Sequence, residues 1–301
     1  MMSYVANRRE LVFLYDVTNS NPNGDPIDEN KPRIDEESRK NLVSDVRLKR
    51  TIRDYLQDFR KKVVFIVETR KEDGNLKTKE DRQNDLNINS AKDLIDNCID
   101  IRLFGATNAI KGKTIIYTGP VQFKFGVSLH KVETKYIKGT TVMPSAEGKS
   151  QGTFTEQHIL PYSLISFYGI VNENAAKDTK LSEEDLVLLY DGIWNGTKNL
   201  ISRSKIGQMP RFLLEVVYNE NNYHIGDLDK QIKLVLKENR VGREEEIRST
   251  EDYYLNLAKL KKTLEDNLDK IKEIKVKIDP NLEIKEWFTS HDKIKNFNIG
   301  G

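Results

Sequence analysis

A mixed α+β fold, with a split βαβ core that carries insertions, is what the sequence predicts, and three observations predict it. Its elements come in the order strand, helix, strand, insert, strand, long hairpin, strand, helix, strand, the order of a ferredoxin-like unit. The strand candidates are β-favouring apolar runs, LVFLY at 11–15 and FLLEVVY at 212–218 among them. The helix candidates carry apolar residues at helical spacing behind polar starts. With 301 residues, 37% apolar and 32% charged, the chain can bury a sizeable core in one or two domains and is not wholly disordered.

Leu11–Tyr15 opens the chain as a buried strand. A polar loop follows, with Pro22, Gly24, Pro26 and Pro32 among Asn and Asp. A basic helix then shows a stripe of Leu42, Val46, Leu48 (or Lys49), Ile52, Tyr55, Leu56 and Phe59. VVFIVET, within Lys62–Thr69, reads as a second strand. Residues 70–79 make a polar turn around Gly74, Thr78–Asp100 one or two helices, and Ile101–Ala109 a turn that ends this insert. Thr114–Tyr117 is a short strand. Within Gly119–His130, Val121, Phe123, Phe125, Val127 and Leu129 share one face of a strand. Lys131–Gln157 is rich in Thr, Lys, Gly and Ser. A structureless loop that long is uncommon in a compact domain, so it reads as a projecting hairpin with Val142 and Met143 near its tip. Leu160–Asn172 is a strand, Ser182 starts a helix with Leu186, Leu189, Tyr190 and Ile193 on its apolar face, and Phe212–Tyr218 is a strand. After Asp227, the spacing of Tyr253, Leu257, Leu260 and Leu264 predicts one or two amphipathic helices. A short strand at Ile274–Ile278 and an aromatic tail at Trp287 and Phe288 close the chain.

Charge is concentrated rather than large. The formal net charge is +2, yet from Ser38 to Lys62 nine basic residues face three acids. Arg47, Lys49, Arg50 and Arg53 cannot all share one helix face. Lys49 and Arg53 stand at i and i+4 with Arg50 adjacent, so these three can line one side and hold a row of phosphates. A solvated helix face is the other reading of such a run. A second basic turn, ISRSKIGQMPR at 201–211, offers Arg203, Lys205 and Arg211, with Gly207 for close backbone approach and Ser204 and Gln208 as hydrogen-bond donors. It also reads as an ordinary connection. Asn21, Asn23 and Gly24 can expose backbone N–H groups to a phosphate, although Asn23-Gly24 is equally a plain hairpin turn.

Catalytic constellations are thin. Asp16, Asp25 and Asp28 could hold a hard cation or simply cap loops. His130, His158, His224 and His291 make no metal-ligand spacing, and the Gly-Lys-Thr and Gly-Lys-Ser triplets at 112–114 and 148–150 lack the preceding Gly of a phosphate-binding P-loop. Neither cofactor nor metal is expected. Cys98 stands alone, which excludes an intrachain disulfide and fits a reducing cytosol. No apolar run approaches the roughly 20 residues of a membrane span, and Arg8, Arg9 and Glu10 interrupt any signal-peptide pattern, so a cytoplasmic location is expected.

The segments FLYDVTNSNPNGDP at 13–26, KPRIDEES at 31–38 and NLVSDVRLKRTIRDYL at 41–56 are specific in combination. With LFGA at 103–106, GPVQ at 119–122 and SRSKIGQMPR at 202–211, they resemble the crRNA-binding backbone subunits of type I-B CRISPR Cascade, within the RAMP superfamily, over about residues 10–220. The resemblance implies an RRM-like palm at 1–69 and 114–226, a helical finger insertion at 70–113, a thumb hairpin near 131–157 and a C-terminal helical extension with a final short strand at 227–301. It places guide phosphates on Arg47, Lys49, Arg50 and Arg53, on Asn21, Asn23, Gly24 and Arg33 of the opening loop, and on Arg203, Ser204, Lys205 and Gln208 of the second loop. Val142 and Met143 become the wedge by which the thumb displaces a base of the guide. The implied function is a non-catalytic scaffold that polymerises head to tail along crRNA and presents it to target DNA. Its partners would be further copies of itself, other Cascade subunits and a recruited nuclease-helicase. Type III relatives cleave target RNA with an Asp on a palm loop. The rival reading is therefore a metal-dependent ribonuclease using Asp25 with Asp16 or Asp28; another is an RRM-like binder that never polymerises.

Overall fold

The computed structural model describes residues 4–110, 113–140 and 154–300. Val142 and Met143 lie outside the described residues. The chain begins with β1 (Arg9–Ser20), the two-residue strands β2 (Gly24–Asp25) and β3 (Lys31–Pro32), β4 (Lys40–Val43) and α1 (Asp45–Asp58). The insert supplies α2 (Lys79–Asp85), α3 (Ala91–Asn97), α4 (Ile99–Phe104) and the hairpin of β5 (Gly105–Ile110) with β6 (Lys113–Thr118). Next come β7 (Val121–Phe123), β8 (Gly126–Lys131), β9 (Lys135–Thr140), β10 (Phe154–Val171), α5 (Glu173–Thr179), α6 (Glu183–Lys198) and β11 (Gln208–Tyr218). The last part holds β12 (Lys233–Leu236), β13 (Tyr253–Asn256), α7 (Ala258–Glu265), β14 (Ile271–Ile278), β15 (Ile284–Lys285) and β16 (Ile294–Asn296).

One large sheet, ordered β16-β14-β11-β1-β10-β8-β4, organises these elements. Its middle strands β11, β1, β10 and β8 are antiparallel to their neighbours. The Leu11–Tyr15 run of β1 is apolar without interruption because both of its faces are covered. Leu11, Phe13, Tyr15 and Val17 join a core with Leu48, Ile52 and Leu56 of α1 and Leu189 and Ile193 of α6. Val12 and Leu14 join a second core with Leu228, Tyr253, Leu257, Leu260 and Leu264 from the C-terminal part. α6 starts at its predicted capping signal, whereas α1 starts at Asp45, so that Leu42 of the predicted helix stripe lies in β4. Ser44 Oγ accepts from Arg47 N at 3.2 Å, and Ser182 makes a capping box with Asp185. Gly192 lets α6 close on α1, since a Cβ there would lie 3.0 Å from Ile52 Cγ2.

Four local expectations give way. Residues 62–69 form no strand: Val64 and Phe65 are buried, but the N–H groups of Phe65 and Ile66 are taken by the Asp100 carboxylate at 2.7 and 3.0 Å instead of a sheet neighbour. The segment 101–109 is not a turn; α4 runs through Phe104 directly into β5. Gly119–His130 breaks into two strands that do not share one buried face. Val121 and Phe123 are buried, then Gly126, Ser128 and His130, leaving Phe125 56% exposed. That one-residue change of phase is what a break in a period-two pattern produces. After Asp227 the chain is mainly strand and 3₁₀ turn rather than helix, with a small sheet β12-β13-β15 and a single short α-helix, α7. Of the residues whose spacing predicted helix, Tyr253 opens β13, Leu257 is the N-cap of α7, and Leu260 and Leu264 form the buried face of that helix. The predicted hairpin is present at its base, where β9 pairs antiparallel with residues 154–159 of β10.

Candidate nucleic-acid interface

The opening loop, the start of α1 and the 202–208 turn meet at the C-terminal end of β1. Backbone bonds tie them together: Thr18 N donates to Gly207 O at 3.3 Å and Asn21 N to Ser204 O at 3.0 Å. Ser20 Oγ also donates to Ser204 O, at 2.8 Å, and Lys205 Nζ donates to Asn21 O. Asn23 fixes the loop to the helix, because its Oδ1 accepts from both Ser44 N (2.8 Å) and Ser44 Oγ (2.9 Å). Gly207 sits at φ +93°, a conformation that disfavours side chains, and a Cβ there would meet Thr18 O at 3.0 Å. The glycine thus lets the turn lie against β1 and holds Lys205 in place.

Two cations at this junction, Arg47 and Lys205, make no ion pair among the described residues. Burial lowers the pKa of Lys205, and the neighbouring Arg47 charge lowers it further, to about 8. Burial likewise lowers Arg47. Neither forms an ion pair with a carboxylate among the described residues; Arg47 Nη2 donates only to Thr51 Oγ1, at 3.0 Å. Around them lie buried polar atoms without hydrogen-bond partners: Arg47 Nε, Gln208 Nε2, Arg33 Nε and Asn21 Oδ1. Buried groups of this kind are normally satisfied, and two adjacent buried cations repel each other. Arg47 and Lys205, with the unpaired amide nitrogen of Gln208 on the same turn as Lys205, can receive an anion. Arg203, on the same turn, is exposed.

The other cations of α1 are differently placed. Lys49 is held by Asp45 at 3.0 Å and Gln122 Oε1 at 3.1 Å. Arg53 pairs with the fully buried Asp100 at 3.1 Å and lies 5.0 Å from the Phe104 ring centroid. Arg50 binds Asp54 at 2.7 Å. The stripe that faces one groove is Arg47, Arg50 and Arg53, without Lys49. Arg33 pairs with Asp25 at 3.0 Å, and Gly24 packs on Asn30 within the β2–β3 ladder.

Residues 7–258 match the family described as CRISPR-associated protein Cas7. The chain belongs to the Cas7 family. It is 34% identical over 310 residues to a CRISPR-associated protein Cas7 of Haloferax volcanii, covering 92% of this chain and 88% of that one. Two solved structures share the Cas7 chain's fold. A chain of a CRISPR RNA-guided surveillance complex in a pre-nicking state aligns with TM-score 0.56 at 9% identity, over 93% of this chain and 96% of that one. A second CRISPR RNA-guided surveillance complex chain aligns with TM-score 0.54 at 12% identity, over 93% and 95%.

The geometry of this Cas7 chain does not bring Asp16, Asp25 and Asp28 into one site. Asp16 is 1% exposed and faces the C-terminal core, where Arg211 Nε (2.7 Å) and Tyr162 Oη (2.8 Å) donate to it. Asp25 holds Arg33 while its Oδ1 accepts from Ile27 N at 3.0 Å, and Asp28 holds Lys31 at 2.7 Å. Among the described residues no group of three His, Cys, Asp or Glu is arranged for a metal, and no helix is long and apolar enough to cross a membrane. Sequence reasoning missed Lys79 and Arg82 of α2, which line the groove beside α1. Nothing in the sequence singled them out, because α2 (KEDRQND) sets two bases among three acids.

Proposed function

We propose that this Cas7 chain is a crRNA-binding scaffold, the repeating backbone subunit of a type I-B Cascade complex. The observation that carries this reading is the adjacent, half-buried pair of Arg47 and Lys205, which makes no ion pair among the described residues and has the unpaired donors Arg47 Nε and Gln208 Nε2 beside it. Phosphate oxygens supply the missing charge and the missing acceptors together. Side chains of this kind hold a sugar–phosphate backbone without reading sequence, and pairing of the guide with target DNA reads it instead. Asn21, Asn23 and Ser204 order the loops, Arg203 and Gln208 extend the contact, and Lys49 and Arg53 support the fold beneath it.

The antiparallel order β11-β1-β10-β8, with α1 and α6 on one face, supports an RRM-like palm at 1–69 and 114–226. The insert at 70–113 serves as the finger, and the β9–β10 hairpin is the base of a thumb at 131–157. The segment 227–301 adds β14 and β16 to the sheet edge, covers its second face with Leu228, Tyr253, Leu257, Leu260 and Leu264, and sends Phe297 into the core on the first face. Copies join head to tail along the guide, an interface type that gives an open helix when the rotation does not close. Other Cascade subunits cap that helix, and a nuclease-helicase acts on the bound target in the cytoplasm. The subunit itself cuts nothing. The burial and pairing of Asp16 support this over a ribonuclease built on Asp25.

Mass measurement of the protein with single-stranded RNAs of increasing length tests the scaffold. The number of bound copies should rise stepwise with length, and end-labelled RNA should stay intact with Mg²⁺. One copy on every RNA contradicts the scaffold. Cleavage that is lost in Asp25→Ala contradicts the non-catalytic assignment.

A further inference from the structure

On the face of the sheet away from α1, a cavity of about 820 Å³ lies between β8 and β10 on one side and residues 229–234 with the start of α7 on the other. Its size is within the range of small-ligand sites. Ser166 stands in the floor, on the same face of β10 as Leu164 and Tyr168 of the C-terminal core. Val127, its cross-strand partner, and Leu129 make the rest of the floor apolar, and Leu234 lines the other side. Three buried polar atoms of this lining have no hydrogen-bond partner: Ser166 Oγ, Asp229 Oδ1 and Gln231 Oε1. Ser166 is only 6% exposed. Such atoms are normally satisfied, and an ionised carboxylate or an amide oxygen can only accept. The missing partner therefore brings N–H donors. The rest of the lining has the opposite character. Lys40 is half-buried, Lys233 and Lys259 are exposed, and none of the three makes an ion pair among the described residues. Lys230 is held by Asp227 at 3.0 Å, and Glu244 accepts from Lys131 N at 2.8 Å. Ala258 and Lys259 are also the first residues of α7, which Leu257 leaves without a side-chain cap, although Asn256 Oδ1 accepts from Ala258 N at 2.9 Å. A helix N-terminus attracts anions.

Buried acceptors at one end, free lysines and a helix N-terminus at the other, and apolar walls between them match a flat base that carries N–H donors on one edge and a phosphate at its far end. We infer that this cavity binds a guanine nucleotide. Guanine sets a ring N–H beside an amino group, a pair of donors that one carboxylate accepts, and this pair meets Asp229. The remaining amino hydrogen serves Gln231 Oε1, and the carbonyl oxygen of the base accepts from the Ser166 hydroxyl. Adenine presents a bare ring nitrogen beside its amino group, so its lone pair would face the carboxylate. The ring lies against Val127, Leu129 and Leu234, and the phosphate meets Lys233, Lys259 and the start of α7. The site shares no residue with the Arg47–Lys205 junction, so it stands independently of the RNA-binding reading above.

Calorimetric titration of the full chain with guanosine monophosphate, adenosine monophosphate, guanosine and inorganic phosphate tests the site. Wild type should bind guanosine monophosphate about tenfold or more tightly than adenosine monophosphate, the scale of hydrogen bonds to a buried carboxylate. The double variant Lys233→Ala, Lys259→Ala should bind guanosine monophosphate about tenfold more weakly and guanosine within about twofold of wild type. Asp229→Ala removes a side chain that pairs with nothing in the protein, and it should bind the two nucleotides equally. Urea unfolding checks that each variant is folded. The Arg47→Ala, Lys205→Ala variant should keep the wild-type affinity for guanosine monophosphate; a loss there would move the nucleotide to the junction and overturn the site. The inference is also overturned by a wild type that binds no guanosine monophosphate at about 1 mM, that prefers neither nucleotide, or that binds inorganic phosphate as tightly. An affinity for guanosine monophosphate unchanged in the lysine variant or in Asp229→Ala overturns it as well.

Discussion

Lys205 offers a direct link between protonation and RNA binding. Its ammonium is half-buried beside Arg47 and pairs with no carboxylate among the described residues, which lowers its pKa to about 8 from the ordinary lysine value of about 10.4. A phosphate seated between Lys205 and Arg47 restores the ammonium. Binding above about pH 8 therefore takes up one proton at this lysine, and affinity per subunit should fall about tenfold for each pH unit. Below about pH 7 the lysine is already charged, and its contribution should be flat. The unliganded fold responds with the opposite sign. Its Lys205 pKa lies below the unfolded value, so raising pH from about 8 toward 10.4 stabilises the empty protein while it weakens RNA binding. Anisotropy titrations with one RNA at fixed ionic strength, from about pH 7 to about pH 9, measure the effect. Wild type should lose about tenfold in affinity over that range, and Lys205→Arg, which keeps its charge, should lose little. Parallel slopes for the two proteins, or a flat wild type, refute the assignment of Lys205 to the anion site.

Two substitutions separate support from binding. Arg53→Ala leaves the fully buried Asp100 without its cation and should cost about 3 kcal/mol in urea unfolding, while RNA affinity measured on the folded variant changes less than about twofold. A loss of RNA affinity on the scale of a Lys205 substitution would instead return Arg53 to the phosphate site. Phe297→Ala removes a 9%-exposed ring whose centroid lies 5.1 Å from that of Tyr190 in the core beneath α6, and should lower stability by about 3 kcal/mol in the same assay. A loss below about 1 kcal/mol would show that the C-terminal tail does not complete that core.

Elements held by local chemistry were legible. Ser182 announced α6, the apolar stripe from Leu48 to Leu56 announced α1, the unbroken apolar run at Leu11–Tyr15 announced a buried strand, and the sequence around Asn21–Gly24 and Arg203–Gln208 marked the two loops that meet. What depended on distant partners was not. VVFIVET reads as a strand in isolation, yet the Asp100 carboxylate satisfies two of its N–H groups. Lys49, Arg50 and Arg53 are alike as letters. They differ because Gln122, Asp54 and Asp100 stand at different places around α1, and Gln122 and Asp100 come from distant parts of the chain. Arg47 and Lys205 emerged as the open pair only once two loops had been folded against each other. In the C-terminal part, the helical spacing of Leu257, Leu260 and Leu264 marked α7, but Tyr253, at the same spacing, belongs to β13, so periodicity alone set the boundary one turn too early.

The central claim is that the Arg47–Lys205 junction holds the phosphates of a guide strand. Its most direct test is the salt dependence of RNA affinity for wild type and for the Arg47→Ala, Lys205→Ala variant, with urea unfolding as the check that both are folded. Loss of both cations should weaken binding at every RNA sequence tried and reduce the slope of log affinity against log salt by about 1 to 2. An unchanged affinity and slope in a folded variant would contradict the account.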